Sequence, residues 1–194
     1  MSSTNRGAKR APLDTYITPL WTVHRLLEVL SLPGGLWMDP CAGSGNIVQA
    51  ARMLRPEVRW KSYEIRPECL DALVNADADP TITDFTKVAD PPKADVVLMN
   101  PPFGLAQQFI EKCLNSASHV VVLLRLNYLG SQKRNAFMRE HCPDVYILPN
   151  RPGFTPDGKT DSIEYAWMHF RQGAPGLHGR IMVLPVTPRA ERCF

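Results

Sequence analysis

Residues Asn100-Pro101-Pro102-Phe103 bring two hydrogen-bond acceptors, a stiff backbone and a flat ring together in four consecutive positions. The acceptors are the Asn100 side-chain oxygen and the Pro101 backbone carbonyl. Proline fixes φ at about −65° and has no N–H, so the loop is rigid and rich in acceptors. A planar group carrying an –NH2 suits it. The two amine protons meet the two oxygens while the ring stacks on Phe103. The apolar run at residues 94–99 leads into the loop and reads as a buried strand of a parallel sheet.

A second stretch, Asp39-Pro40-Cys41-Ala42-Gly43-Ser44-Gly45-Asn46, lies between a short strand at residues 36–39 and a helix at residues 46–54. Gly43 and Gly45 let the backbone approach a ligand closely, and the helix that follows starts with free N–H groups. A phosphate loop would end in Gly-Lys-Ser/Thr, which is missing here. A dinucleotide fingerprint would place a third small residue where Val48 stands. What remains is an acidic residue at a strand end, then proline and paired glycines. Glu64 closes the next strand about twenty residues beyond Gly45, where a carboxylate takes both hydroxyls of a ribose. Asp84-Phe85 follows a third strand, although Asp77 and Asp79 compete with Asp84 for the same assignment.

These stretches, in this order, resemble the S-adenosylmethionine-dependent amino-methyltransferases, which methylate exocyclic amines of adenine or cytosine, or glutamine side-chain amides. Asn100 to Phe103 resembles their motif IV, and Asp39 to Asn46 their motif I. Asp14-Thr15-Tyr16-Ile17-Thr18-Pro19 is similar to the Asp-x-Tyr-x-Thr-Pro form of motif X in DNA adenine methyltransferases. The resemblance implies a Rossmann-like α/β methyltransferase fold with a seven-stranded, mostly parallel sheet and a C-terminal antiparallel hairpin. It implies S-adenosyl-L-methionine as cofactor, held by Tyr16, Thr18, Asp39, Cys41, Ala42, Gly43, Gly45, Glu64, Asp84, Phe85 and Asn100. Asp39 would approach the ammonium of the methionine moiety, while Asp84 and Phe85 would contact adenine. Tyr16 and Thr18 would fold over the methionine end. Asn100, Pro101, Pro102 and Phe103 would form the catalytic loop, with no metal.

The remaining elements must position these loops. Thr18-Pro19 reads as N-cap and first residue of a helix running to about residue 30, with Leu20, Val23, Leu26, Leu27 and Leu30 on one face. Further strands are expected at residues 60–64, 81–83, 120–124, 145–148 and 164–170, with a late edge strand at 181–184. Helices are expected at 67–75, 105–117 and 130–141. Strands alternating with helices give a parallel sheet. Residues 1–12, polar and basic, read as a disordered tail ahead of a single domain at 13–194. No large separate recognition domain is expected after Phe103.

The chain has 194 residues, 44% of them hydrophobic and 21% charged, as expected of one soluble globular domain. A net charge of +3 permits a nucleic-acid partner without requiring one. Five scattered cysteines without a Cys-x-x-Cys pair argue for a reducing compartment and against a zinc site or disulfide frame. The expected setting is cytoplasmic, in a bacterium or phage.

DNA is the favoured target, with adenine N6 as the methyl acceptor. Lys133, Arg134, Arg139, Arg151 and Lys159 are candidate phosphate contacts, or an ordinary solvated surface. Phe154, in a Pro-Gly loop, is a candidate second wall around a flipped base. RNA adenine methylation uses the same loop, as does methylation of a protein glutamine amide, which usually has Tyr in place of Phe103. A non-catalytic nucleic-acid-binding partner subunit is the remaining alternative; intact cofactor and motif IV residues speak against it.

Overall fold

The apolar runs lack a polar face because both faces of their strands are covered. The computed structural model describes residues 16–154, 162–173 and 179–192. The expected tail at 1–12, together with Asp14, Thr15 and Lys159, lies outside the described residues. The strands are β1 (Leu36–Asp39), β2 (Arg59–Glu64), β3 (Pro80–Ile82), β4 (Ala94–Met99), β5 (Ala117–Arg125), β6 (Asp144–Ile147), β7 (Tyr165–Arg171) and β8 (Ile181–Val183). The helices are α1 (Leu20–Leu27), α2 (Asn46–Leu54), α3 (Leu70–Asn75), α4 (Ala106–Leu114) and α5 (Asn135–Glu140).

One sheet runs in the order β3-β2-β1-β4-β5-β7-β6-β8. The first five strands pair in parallel, and β7 is antiparallel to both β5 and β6. Alternate side chains go to opposite faces. Trp37, Val96, Leu98, Val121, Leu123 and Trp167 pack with Val23, Leu26, Val48 and Leu73 of α1, α2 and α3. Met38, Val97, Met99, Val120, Val122 and Met168 pack with Phe109, Ile110 and Cys113 of α4 and Phe137 of α5. Burying a large aliphatic side chain in such layers stabilises the fold by about 1.5–3 kcal/mol.

Among the described residues the sheet has eight strands, not the seven the resemblance implies. The extra strand β8 runs parallel to β6, with Val145 opposite Ile181. It adds no core, since Ile181, Met182 and Val183 are all exposed. Backbone bonds hold it, from Val145 N to the Arg180 carbonyl at 2.7 Å and from Leu184 N to the Ile147 carbonyl at 2.9 Å.

Several element boundaries also differ, among them the stretch at 67–75, which divides into a 3-10 turn, Pro67–Cys69, and α3. Helix α1 starts at Leu20 with Pro19 in the cap position, so Thr18 lies one residue outside the cap, and its hydroxyl accepts from Asn100 Nδ2. Helix α4 stops at Leu114, because Ala117 already pairs with Ala94 as part of β5. The polar stretch at 130–141 divides into a 3-10 turn, Gln132–Arg134, and α5. Among the described residues no helix is long and apolar enough to cross a membrane.

Candidate active site

The strand order reverses between β1 and β4, and in open α/β sheets such a switch point leaves a crevice beyond the carboxyl ends of the strands. A cavity of about 340 Å3 lies there. Its wall is formed by Tyr16, Thr18, Cys41, Ala42, Gly43, Glu64, Asp84, Phe85, Asn100, Pro101 and Pro102, all expected from the sequence.

Asp39 and Gly45, also expected from the sequence, are not part of that wall. Asp39 is fully buried at the end of β1, and its Oδ1 accepts from Cys41 N at 3.1 Å. Its Oδ2 is buried with no hydrogen-bond partner among the described residues. Burial pushes the carboxyl up to about 7, with the nearby Glu64 charge adding to the rise. Gly45 has φ +86°, and a Cβ there would lie 3.0 Å from the Ala76 Cβ, so glycine lets α2 pack on the α3 turn. Gly43, with φ +56°, turns its N–H onto Glu64 Oε2 at 2.7 Å.

Glu64 is nearly saturated. Its Oε1 accepts from Ile65 N, Arg66 N and Arg66 Nε at 3.1, 3.1 and 2.8 Å, beyond the Gly43 bond to Oε2. Burial opposes ionisation, but the hydrogen bonds and charge of Arg66 outweigh it and hold the carboxyl below its ordinary range. Asp84 is held low first by the Thr86 hydroxyl, which donates to Oδ1 at 2.7 Å. Phe85 is buried against Tyr63 and Phe109, with ring centroids 5.1 and 5.6 Å apart.

Across the cavity, Asn100 Nδ2 donates to Thr18 Oγ1 at 3.0 Å. Phe103 lies beside the cavity wall in an aromatic cluster. Its ring is 5.3 Å from Tyr16 and 6.2 Å from Tyr165, and the Arg125 guanidinium carbon sits 4.6 Å from its centroid. Arg125 Nε donates to the Tyr165 hydroxyl at 3.2 Å. Phe154 is 4% exposed and buttresses Tyr16 from behind, edge-on at 5.6 Å, while its carbonyl accepts from Ile17 N. Lys133 and Arg134 do not line the cavity. Lys133 is exposed, whereas Arg134 stacks 4.2 Å over the Tyr128 ring and donates to the Tyr128 carbonyl.

Ile65, Leu105 and Phe109 also line the cavity and escaped the sequence reading. Ile65 had a usable signal, being an apolar residue directly after the strand-end carboxylate. Arg125 and Tyr165 had none, because only the antiparallel register of β5 and β7 sets them opposite each other.

No protein-family model matches the chain, and no curated protein matches it by sequence. Solved structures do. A protein from Listeria monocytogenes assigned to the class I S-adenosylmethionine-dependent methyltransferases superposes with a TM-score of 0.63 at 14% identity, over 96% of this chain and 70% of that one. The chain has the class I methyltransferase fold. The type I restriction-modification system methyltransferase subunit of Streptococcus thermophilus gives 0.62 at 18% identity, over 82% of this chain. This chain spans 45% of that subunit's length. The 23S rRNA methyltransferase ErmE gives 0.58 at 19% identity, over 84% and 72% of the two chains. Of these three names only that of ErmE carries a substrate, 23S rRNA, and the shared fold leaves the target of this chain to be argued from the site.

Proposed function

We propose that this chain is an S-adenosylmethionine-dependent methyltransferase that modifies the N6 amine of adenine in DNA. The observation that carries the reading is the shared cavity: Asn100, Pro101 and Pro102 wall the same space as Gly43, Glu64 and Asp84. The residues fit the proposed cofactor. The unpartnered Asp39 oxygen suits an ammonium group, Glu64 suits ribose hydroxyls, and Ile65 and Leu105 offer apolar surface to a purine. S-adenosylmethionine would supply an electrophilic methyl group on sulfur.

The chain's own residues act on the acceptor. An exocyclic amine is a poor nucleophile because its lone pair is delocalised into the ring. Acceptors at Asn100 and Pro101 favour the pyramidal amine and aim its lone pair, so they bind the transition state better than the ground state. The amine loses its proton after transfer, and no histidine or carboxylate base is required. A base swung out of a duplex would stack at the mouth on Phe103, with the 38%-exposed Tyr16 beside it.

Labelled methyl transfer to DNA, RNA and protein pools, followed by nucleoside analysis, tests this directly. Label recovered as N6-methyladenine from DNA is the expected result. Label confined to RNA or to glutamine would move the activity to another substrate, and no label in any pool would remove it.

A further inference from the structure

We infer that Thr18 is a positioning residue for methyl transfer: its hydroxyl fixes the Asn100 amide so that the amide oxygen faces the methyl acceptor. The inference rests on the methyl-transfer reading above. An asparagine side chain presents one acceptor oxygen and one NH2 donor, and a half-turn about its last bond exchanges them. Only the oxygen can receive an amine proton. With the amide reversed, a donor would face a donor and the loop would lose one of its two acceptors.

Something must therefore hold the nitrogen, and the 3.0 Å contact from Asn100 Nδ2 to Thr18 Oγ1 does so. Thr18 is 5% exposed, so water competes poorly for that bond. The hydroxyl is itself placed by contacts that do not involve Asn100. After it, Thr22 N and Thr22 Oγ1 both donate to the Pro19 carbonyl, at 3.0 and 2.8 Å. Before it, Ile17 N donates to the Phe154 carbonyl at 3.1 Å, and Tyr16 is wedged between Phe103 and Phe154. The segment from Tyr16 to Pro19 is thus a brace against the catalytic loop.

A hydroxyl can accept or donate, which makes the brace testable through its partner. Asn100→Asp removes the donor, and the Thr18 hydroxyl then turns to donate to the carboxylate. Thr18→Val keeps the shape and removes both roles. We would measure kcat and both KM values for wild type, Thr18→Val, Thr18→Ser, Asn100→Asp and the Thr18→Val/Asn100→Asp double variant. Thr18→Val should lower kcat by about 10–100-fold, the size of effect that misplacing a reacting group produces, with little change in either KM. Thr18→Ser should restore kcat, and the double variant should be non-additive, because both changes act on one contact.

Melting temperatures check that each variant folds. The 15N side-chain resonances of Asn100 give a readout that does not depend on activity: its NH2 protons should exchange slowly in wild type and Thr18→Ser, and quickly in Thr18→Val. Wild-type kcat in Thr18→Val, equal losses in the valine and serine variants, or unchanged amide exchange would each overturn the inference. If the wild type methylates nothing, the methyl-transfer reading falls, while the Asn100 exchange rates still decide whether Thr18 orients the amide.

Discussion

On the Glu64 side of the cavity, most contacts to the carboxylates come from their own chain neighbours, the exception being the Gly43 N–H that reaches Glu64 from 21 residues away. Asp39 accepts from Cys41 N, Asp84 from Thr86, and Glu64 from Ile65 and Arg66. On the Asn100 side, the partners come from distant segments: Thr18 lies 82 residues from Asn100, and Tyr165 lies 40 residues from Arg125. The first wall closes as each strand makes its turn and β2 pairs with its neighbour β1. The second forms only when β7 has paired with β5 and the segment before α1 has docked. Local turns make a binding surface that tolerates change elsewhere, whereas an assembled wall holds a geometry that one lost contact can shift. Substitutions on the two sides should therefore fail in different ways.

The largest effect should come from the assembled side. Asn100→Ala removes an acceptor proposed to act in the transition state, and should lower kcat by about 100-fold or more, by analogy with loss of an oxyanion-hole donor. Cofactor affinity, measured by calorimetry, should stay nearly unchanged. A parallel loss of cofactor affinity would erase the division between the two walls.

On the local side, Glu64→Gln should weaken S-adenosylmethionine binding by about 10–100-fold, the cost of one or two charge-assisted hydrogen bonds. At saturating cofactor its kcat should change little. Arg66→Ala sharpens the same test. A carboxylate offers about four lone-pair sites, and Arg66 and the backbone N–H groups already fill most of those on Glu64. Ribose hydroxyls must displace the guanidinium, so Arg66→Ala should not weaken binding. A tenfold loss in that variant would make Arg66 a cofactor ligand instead.

Asp39 makes the local wall sensitive to pH, in opposite directions for the empty and loaded protein. Burial pushes its carboxyl up to about 7, against about 3.9 for an exposed aspartate. Between those values the folded chain keeps a proton that the unfolded chain releases, so Asp39 makes the empty fold less stable as pH rises through that window. A bound ammonium requires the ionised form. Cofactor affinity should therefore rise with pH, by at most about tenfold per unit, and level off above about 7. Asp39→Asn should flatten that slope in calorimetry at pH 5.5, 6.5 and 7.5. A slope that survives the substitution would place the titrating group elsewhere.

The same division explains what the sequence made legible. Gly43, Glu64 and Asn100 to Phe103 were readable because a strand end followed by a short loop fixes its own geometry within a few residues. The parallel strands were readable because burial on both faces leaves unbroken apolar runs. Thr18 was read as a helix cap because the Thr-Pro pair satisfies the local rule, and its actual partner lies in another segment. Strand β8 was readable as a segment, but its place beside β6 is set by backbone pairing without burial, which leaves no alternating pattern. The Arg125–Tyr165 pair depends on register alone.

The smallest expected effect concerns the candidate phosphate contacts, which the sequence treats as one basic group and the structure separates. Lys133 is exposed, while Arg134 is committed to Tyr128 by stacking and by its hydrogen bond to the carbonyl. Lys133→Ala should leave the melting temperature unchanged and weaken binding to unrelated DNA sequences by a similar, few-fold factor. The slope of log affinity against log salt should become shallower by about 0.9, the value for one lost phosphate contact on duplex DNA. Arg134→Ala should instead lower the melting temperature, since a partly buried cation–π pair and one hydrogen bond are together worth roughly 1–2 kcal/mol. If Lys133→Ala leaves the salt slope intact, this segment is solvated surface and makes no phosphate contact. If Arg134→Ala flattens the slope without a thermal cost, its contact with Tyr128 yields to phosphate on binding. The 3-10 turn at Gln132–Arg134 would then belong to the assembled, substrate-facing wall.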